Sequence, residues 1–267
     1  MTIEVHQGIA PLIVAFPHTG TDIPADIDPT LVSAWHARRD ADWWIDRLYA
    51  FAKDIGATTV RTTISRTVID VNRDPSGASL YPGQATTELC PTTDFDGAPL
   101  YRDDGPDAEE IMRRRALYFD SYHAALSAEI ARLRAAHDRI VVYDAHSIRS
   151  HIPRLFEGRL PQFNIGTNDG ATCDRALAVA VTAICDASGY GYVLNGRFKG
   201  GWTTRHYGRP DEGVHAIQME LSMRGYMAEP EHPDAENWPT PIDAYPAVLP
   251  TIRRVLAAAI AFAKGQE

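Results

Sequence analysis

Apolar positions fall along this chain in two rhythms, short continuous runs and stretches with helical spacing. Residues 11–16, Pro-Leu-Ile-Val-Ala-Phe, form an apolar run bounded by proline and read as a buried strand. Residues 42–50 place Ile45, Leu48 and Tyr49 on one face of a predicted helix. The β-branched runs 58–63 and 67–71, parted by Ser65 and Arg66, predict two strands or one bent strand. Phe119, Tyr122, Leu126, Ile130 and Leu133 recur at spacings of three and four, the stripe of a long helix. Residues 139–143 then form a nearly continuous apolar strand, the pattern of a sheet covered on both faces. A helix over 175–187, a strand at 192–194, a polar loop over 197–211 and a strand over 214–221 follow. The last helix, after Pro250, turns Ile252, Val255, Ala259 and Phe262 inward.

Strands alternating with helices predict an α/β fold, a mostly parallel sheet flanked by helices, with no linker that divides residues 1–267. Residues 74–107 break every periodicity, and a loop of that length inside such a fold is expected to be functional or an elaborated insertion.

In an open α/β sheet, ligands sit beyond the carboxyl ends of the strands. The residues expected there are Pro17-His18-Thr19-Gly20, Asn72-Arg73-Asp74 and Asp144-Ala145-His146-Ser147, with Gln218-Met219-Glu220 inside the last internal strand. Two histidines, an arginine, an amide and carboxylates thus gather on one edge. His18 and His146 form no local metal motif, so the fold itself must unite them. A hydrolytic zinc site keeps three protein ligands and one open position. The third ligand should be an acid: Asp42 fits as a first-turn residue of the predicted helix, with Asp40, Asp22 and Asp144 as alternatives. Competing chemistries fare worse. Asp144 and His146 point to one side of a strand and Ser147 to the other, no Gly-x-Ser-x-Gly elbow occurs, and no glycine-rich phosphate fingerprint precedes a helix. A metal-activated water is the chemistry that remains.

Composition narrows the setting. The chain carries 26 basic and 35 acidic side chains, a net charge of −9, which argues against nucleic acid and anionic membrane as partners. No run approaches the length of a membrane span, and the first eight residues lack the plan of a signal peptide. Cys90, Cys173 and Cys185 have no metal spacing and read as free thiols of a reducing cytoplasm.

The chain resembles the N-formylglutamate amidohydrolase family. The resemblance is carried nearly end to end by Pro17-His18-Thr19-Gly20, Asp40-Ala41-Asp42-Trp43, and residues 65–73 and 77–84. It continues through residues 146–150, 152–158, 163–167, 204–208 and 218–221, and so takes in part of the aperiodic loop. The family is similar in turn to zinc carboxypeptidases and aspartoacylases, which implies a zinc-exopeptidase-like fold. The shared order is a first-strand His, an acid, Asn-Arg, His-Ser and a Glu base. It maps onto His18, an early Asp, Asn72-Arg73, His146-Ser147 and Glu220. Thr21 stands where carboxypeptidases place their glutamate, which leaves the choice between Asp40 and Asp42 open.

The resemblance implies hydrolysis of a small dicarboxylate, N-formyl-L-glutamate, with Zn2+ on His18, Asp42 and His146 and with Glu220 as general base. Arg73, aided by Asn72, is expected to grip one substrate carboxylate, and Arg66 the oxyanion or the second carboxylate. His206, as a further catalytic group, and Tyr207, as a substrate contact, are expected on a glycine-flanked loop that closes over the site. Two other readings keep the fold: a deacylase for another N-acyl amino acid, and a non-catalytic dicarboxylate-binding protein.

Overall fold

The computed structural model describes residues 2–229, 234 and 247–266. Its strands are β1 (Ile3–His6), β2 (Leu12–Phe16), β3 (Thr58–Thr62), β4 (Ile140–Ile148), β5 (Phe163–Gly166), β6 (Tyr192–Leu194) and β7 (Val214–Ser222). The α-helices are α1 (His36–Arg39), α2 (Ile45–Leu48), α3 (Ala108–Arg114), α4 (Asp120–Arg134), α5 (Arg175–Asp186), α6 (Trp202–Tyr207) and α7 (Leu249–Ala263). All seven strands form one sheet in the order β1-β3-β2-β4-β7-β5-β6. The pairs β2–β3, β2–β4, β4–β7 and β5–β6 are parallel, while β1–β3 and β5–β7 are antiparallel. The mixed, mostly parallel α/β sheet expected from the sequence is thus present.

Alternation along β2, β4 and β7 divides the core in two. Leu12, Val14, Val141, Tyr143, Ile217 and Met219 face α2, α5 and α7, where Ile45, Val181, Val255 and Phe262 meet them. Ile13, Ile140, Val142, Val214 and Ala216 face the other way, onto Tyr122, Leu126 and Leu133 of α4 and Tyr207 of α6. The central strands are buried on both faces, as their near-continuous apolar runs require.

Four expectations are corrected. Residues 67–71 form a buried turn, because Val68 packs into one cluster and Ile69 and Val71 into another with no strand beside them. The helix expected over 42–50 shrinks to α2, since Trp44 just before it takes a left-handed φ of 62° that no α-helix continues through. Strand β4 runs to Ile148, so Asp144, His146 and Ser147 lie within it rather than after it. The polar stretch 197–211 contains α6. Strands β1 and β5, absent from the periodicity reading, complete the sheet. Residues 74–107 hold no helix and no strand, only turns and isolated bridges. Among the described residues no helix is long and apolar enough to cross a membrane.

Candidate active site

On the α4/α6 side of the sheet, two neighbouring strands change character partway along. Ile140 and Val142 give way to Asp144 and His146 on β4; Val214 and Ala216 give way to Gln218 and Glu220 on β7. The parallel register sets His146 directly beside Glu220. His18 follows β2, and its carbonyl accepts the Asp42 amide at 2.9 Å, which ties the early acid to the strand end. The buried turn before Asp74 supplies Arg66, Asp70, Asn72 and Arg73.

These placements converge. His18, Asp42 and His146 are buried, and one ligand atom from each lies within 4.8 Å of the others. His146 Nδ1 is 2.9 Å from Asp42 Oδ2, and His18 Nδ1 is 3.8 Å from the same oxygen. Each outer nitrogen stands against a carboxylate: His18 Nε2 bonds to Asp70 Oδ1 at 2.6 Å, while His146 Nε2 has Asn72 Nδ2 as its hydrogen-bond partner at 2.9 Å and lies 3.1 Å from Asp144 Oδ1. Imidazoles held from behind by carboxylates, with the other nitrogens aimed at a shared acid, have the build of metal ligands with their supporting shell.

Electrostatics separates the two histidines. Burial and the Arg66 guanidinium push His18 down to about 4, so the ring is neutral. Burial opposes ionisation of Asp70, but Arg73, His18 and Arg66 hold it well below the usual carboxylate range. Asp70 therefore carries no proton, and His18 Nε2 donates to it. That leaves Nδ1 as a bare lone pair, buried and without any hydrogen-bond partner. Burial also opposes charge on His146, yet Asp144 and Asp42 raise it well above its ordinary value. An unsatisfied lone pair and a carboxylate that draws positive charge face the same point. A buried polar atom with no partner costs about 1–3 kcal/mol. A cation there would satisfy His18 Nδ1, Asp42 and His146 together, so the residues present fit a metal ion.

The cluster opens into a pocket lined by Arg66, Asn72, Arg73, Ser147, Gln218 and Glu220, with Tyr81, Thr87, Phe95, Leu155, Arg197 and Phe198 around its mouth. Burial lifts the Glu220 carboxyl to about 7, against the pull of His146, and Gln218 Nε2 donates to its Oε2 at 3.2 Å. A carboxylate poised there can take and return a proton near neutral pH. Arg66 donates to Asp70 at 2.7 Å and lies 3.7 Å from Asp42, while Arg73 donates to the Thr87 carbonyl and hydroxyl.

The structure does not bring every sequence candidate to the pocket. Asp40 accepts from the Phe95 amide at 2.6 Å and pairs with Arg149, and Asp22 is exposed; Asp42 is the acid beside the histidines. Asn72 spends its side chain inside the protein. Nδ2 donates to Asp144 and lies 2.9 Å from His146 Nε2, and Oδ1 accepts from the Thr203 amide. Gly201 is required beside it, because a Cβ there would collide with the Asn72 amide. Tyr207 points away from the pocket, with its hydroxyl 2.9 Å from His123 Nδ1 and 3.1 Å from Ser127 Oγ. His206 stacks on Trp202 and lines no part of the pocket. Ser147 borders the pocket, but its hydroxyl turns to the opposite side of β4, as alternation requires, and accepts from the Tyr226 hydroxyl. Sequence reasoning passed over Asp70 and Arg197. Asp70 sits within the motif at 65–73, and Arg197 lies between Gly196 and the Gly200-Gly201 pair, where a close backbone approach was readable.

Comparison with known proteins gives a consistent set of relatives. The family model described as N-formylglutamate amidohydrolase matches residues 10–227. A protein of Pseudomonas aeruginosa named N-formylglutamate deformylase is 50% identical over 229 residues, covering 85% of this chain and 86% of that protein. One of the same name from Pseudomonas putida is 46% identical over 231 residues, 86% of each. Among solved structures, an N-formylglutamate amidohydrolase from Ralstonia eutropha superposes with a TM-score of 0.77 at 23% identity, over 99% of this chain and 98% of that one. A protein from Agrobacterium tumefaciens superposes with a TM-score of 0.69 at 18% identity, over 99% and 95%. These two structures share the fold.

Proposed function

Because the chain belongs to the N-formylglutamate amidohydrolase family, we propose that it hydrolyses N-formyl-L-glutamate to formate and L-glutamate. The observation that carries the chemistry is the buried convergence of His18 Nδ1, Asp42 and His146 Nδ1 beside Glu220. A donor set of two imidazoles and one carboxylate suits Zn2+, which when bound would polarise the formyl carbonyl and acidify water.

Each protein group then has a task. Glu220, next to His146 in the register, takes the proton of the attacking water and returns it to the departing nitrogen of glutamate. Asp70 fixes the His18 ring, and Asn72 with the Asp144 carboxylate stands behind His146, so that each Nδ1 faces Asp42. Asn72, committed to Asp144 and the Thr203 amide, holds the wall behind His146 rather than the substrate. Arg66 lies at the inner end of the pocket, where it offsets the charge of Asp42 and Asp70 and can stabilise a developing oxyanion. Arg73 faces the same pocket and supplies a guanidinium for a substrate carboxylate. The reading places the enzyme in a route of histidine degradation and in the cytoplasm, in keeping with three free, buried thiols.

The test is a formate assay on purified protein with N-formyl-, N-acetyl- and N-succinyl-glutamate, run beside metal analysis. Formate release that far exceeds deacylation of the longer chains supports the proposal. Preference for acetyl or succinyl would make the protein a different N-acyl amino acid deacylase. Absence of all three activities with no bound metal would leave a dicarboxylate-binding protein.

A further inference from the structure

Three guanidiniums line the pocket, and they differ in what already neutralises them. Arg66 sits 2.7 Å from Asp70 and 3.7 Å from Asp42. Arg73 lies 3.6 Å from Asp70, and donates to the Thr87 carbonyl, the Thr87 hydroxyl and the Asn72 carbonyl. Arg197 has no carboxylate within ion-pair distance among the described residues. Its Nε donates to the Leu155 carbonyl at 2.9 Å and one Nη2 hydrogen to the Ala85 carbonyl at 2.7 Å. A guanidinium carries five donor hydrogens. Those two bonds leave both Nη1 hydrogens and one on Nη2, which is one complete edge of the fork.

The side chain is also held in place. Its guanidinium carbon lies 5.5 Å from the Tyr81 ring centroid and 5.3 Å from that of Phe198, so aromatic faces flank it. The two carbonyls that grip it come from separate segments, Ala85 on the long aperiodic loop and Leu155 after β4. Burial lowers its affinity for a proton against the pull of Tyr81; Arg73 lowers it further and Glu220 partly offsets that, so the two cations feel each other in the pocket. A half-buried cation with no ion-paired carboxylate among the described residues, fixed by carbonyls and with one fork edge open, is built to receive an anion.

We propose that Arg197 binds the side-chain carboxylate of the N-acyl amino acid and so sets the preference for a dicarboxylate, leaving Arg73 for the α-carboxylate. This rests on the hydrolytic reading above and deepens it. Leu155, Phe198 and the Tyr81 ring supply the apolar wall along which the two side-chain methylenes lie. The positively charged end of the pocket, rather than its size, then excludes neutral side chains of similar length. The net charge of −9 does not oppose this, because the local field in the pocket belongs to these arginines.

The experiment compares kcat/KM for N-formylglutamate, N-formylglutamine and N-formyl-4-aminobutyrate, which lacks the α-carboxylate, in wild type, Arg197→Ala and Arg197→Lys. In Arg197→Ala the preference for N-formylglutamate over N-formylglutamine should collapse by about 100-fold, chiefly through KM. Arg197→Lys should recover part of it, since the charge returns without the fork. An equal loss on N-formylglutamate and N-formylglutamine would show a merely structural role and overturn the proposal. So would a preserved preference, or a preference lost only against N-formyl-4-aminobutyrate. Calorimetric binding of glutarate to wild type and Arg197→Ala separates this from failure of the hydrolytic reading. If wild type releases no formate yet binds glutarate, and Arg197→Ala does not, the anion site stands without the hydrolase. Equal glutarate binding by both proteins overturns the anion site whatever the activity.

Discussion

Two sets of histidines lie on the same side of the sheet, one buried and one half-buried, and they are built on opposite principles. At the ends of β2 and β4, His18 keeps a buried Nδ1 with no partner and His146 is drawn toward charge by Asp144 and Asp42. On α4, His123 has a partner for each nitrogen: the Val71 carbonyl at 2.8 Å on Nε2 and the Tyr207 hydroxyl at 2.9 Å on Nδ1. The second arrangement is complete as it stands. A neutral ring donates from Nε2 and accepts at Nδ1, and burial presses its pKa to about 4. The first leaves a lone pair that a cation would satisfy. What separates the two here is the convergence of the unsatisfied His18 Nδ1 with Asp42 and His146, since residue type is shared.

The largest expected effect tests the incomplete group. Glu220→Gln keeps the shape of the side chain and removes its basicity. The variant should lose about 10²–10⁴-fold in kcat while retaining its metal, measured by formate release and elemental analysis. Near-normal kcat would show that another group moves the proton. Next comes Asp70→Asn, which takes the carboxylate from behind His18. Metal affinity should fall by about 10–100-fold in a chelator competition, while the fold persists by circular dichroism. If affinity holds, His18 is not a ligand oriented by Asp70.

The complete group should answer in stability instead. Above pH ~6.5 the His123 ring is neutral whether the chain is folded or not, so its contribution is fully present there. As pH falls below that value, the unfolded chain binds the proton while the folded ring, at about 4, does not. Stability is lost across that window by at most about 3 kcal/mol. His123→Gln should flatten this acid limb in melting curves taken from pH 7 to pH 4, and an unchanged limb would reassign the loss to other groups. The smallest effect is expected from Tyr207→Phe, about 1 kcal/mol, with KM for N-formylglutamate retained. A rise in KM with no change in melting temperature would return Tyr207 to the substrate.

The same contrast explains what could be read from the sequence. Strand β2, helix α5 and helix α7 fall where apolar spacing puts them, because their buried apolar side chains pack into the core clusters, and strand β6 falls where it was expected too. Strand β4 was expected to stop at Tyr143 because Asp144 and His146 are polar; the strand continues because both are buried for a purpose other than packing. The β-branched run 67–71 imitates a strand, yet it is a turn whose apolar side chains divide between clusters while Asp70 points to His18. Two carboxylates two residues apart, Asp40 and Asp42, are equivalent in a string of letters. Only the folded chain sends one to the Phe95 amide and the other to the histidines. His206 and Tyr207 follow closely on Gly201, which lines the pocket, but the short helix α6 turns them away from it.

The claim that His18, Asp42 and His146 form a metal centre is tested most directly by metal content across four proteins. Wild type and Tyr207→Phe should each carry about one equivalent of zinc per chain after purification and release formate from N-formylglutamate. His18→Ala and His146→Ala should carry almost none, and brief chelation should silence the wild type until zinc is restored. Undiminished metal in both histidine variants, or formate release that survives complete chelation, would contradict the account.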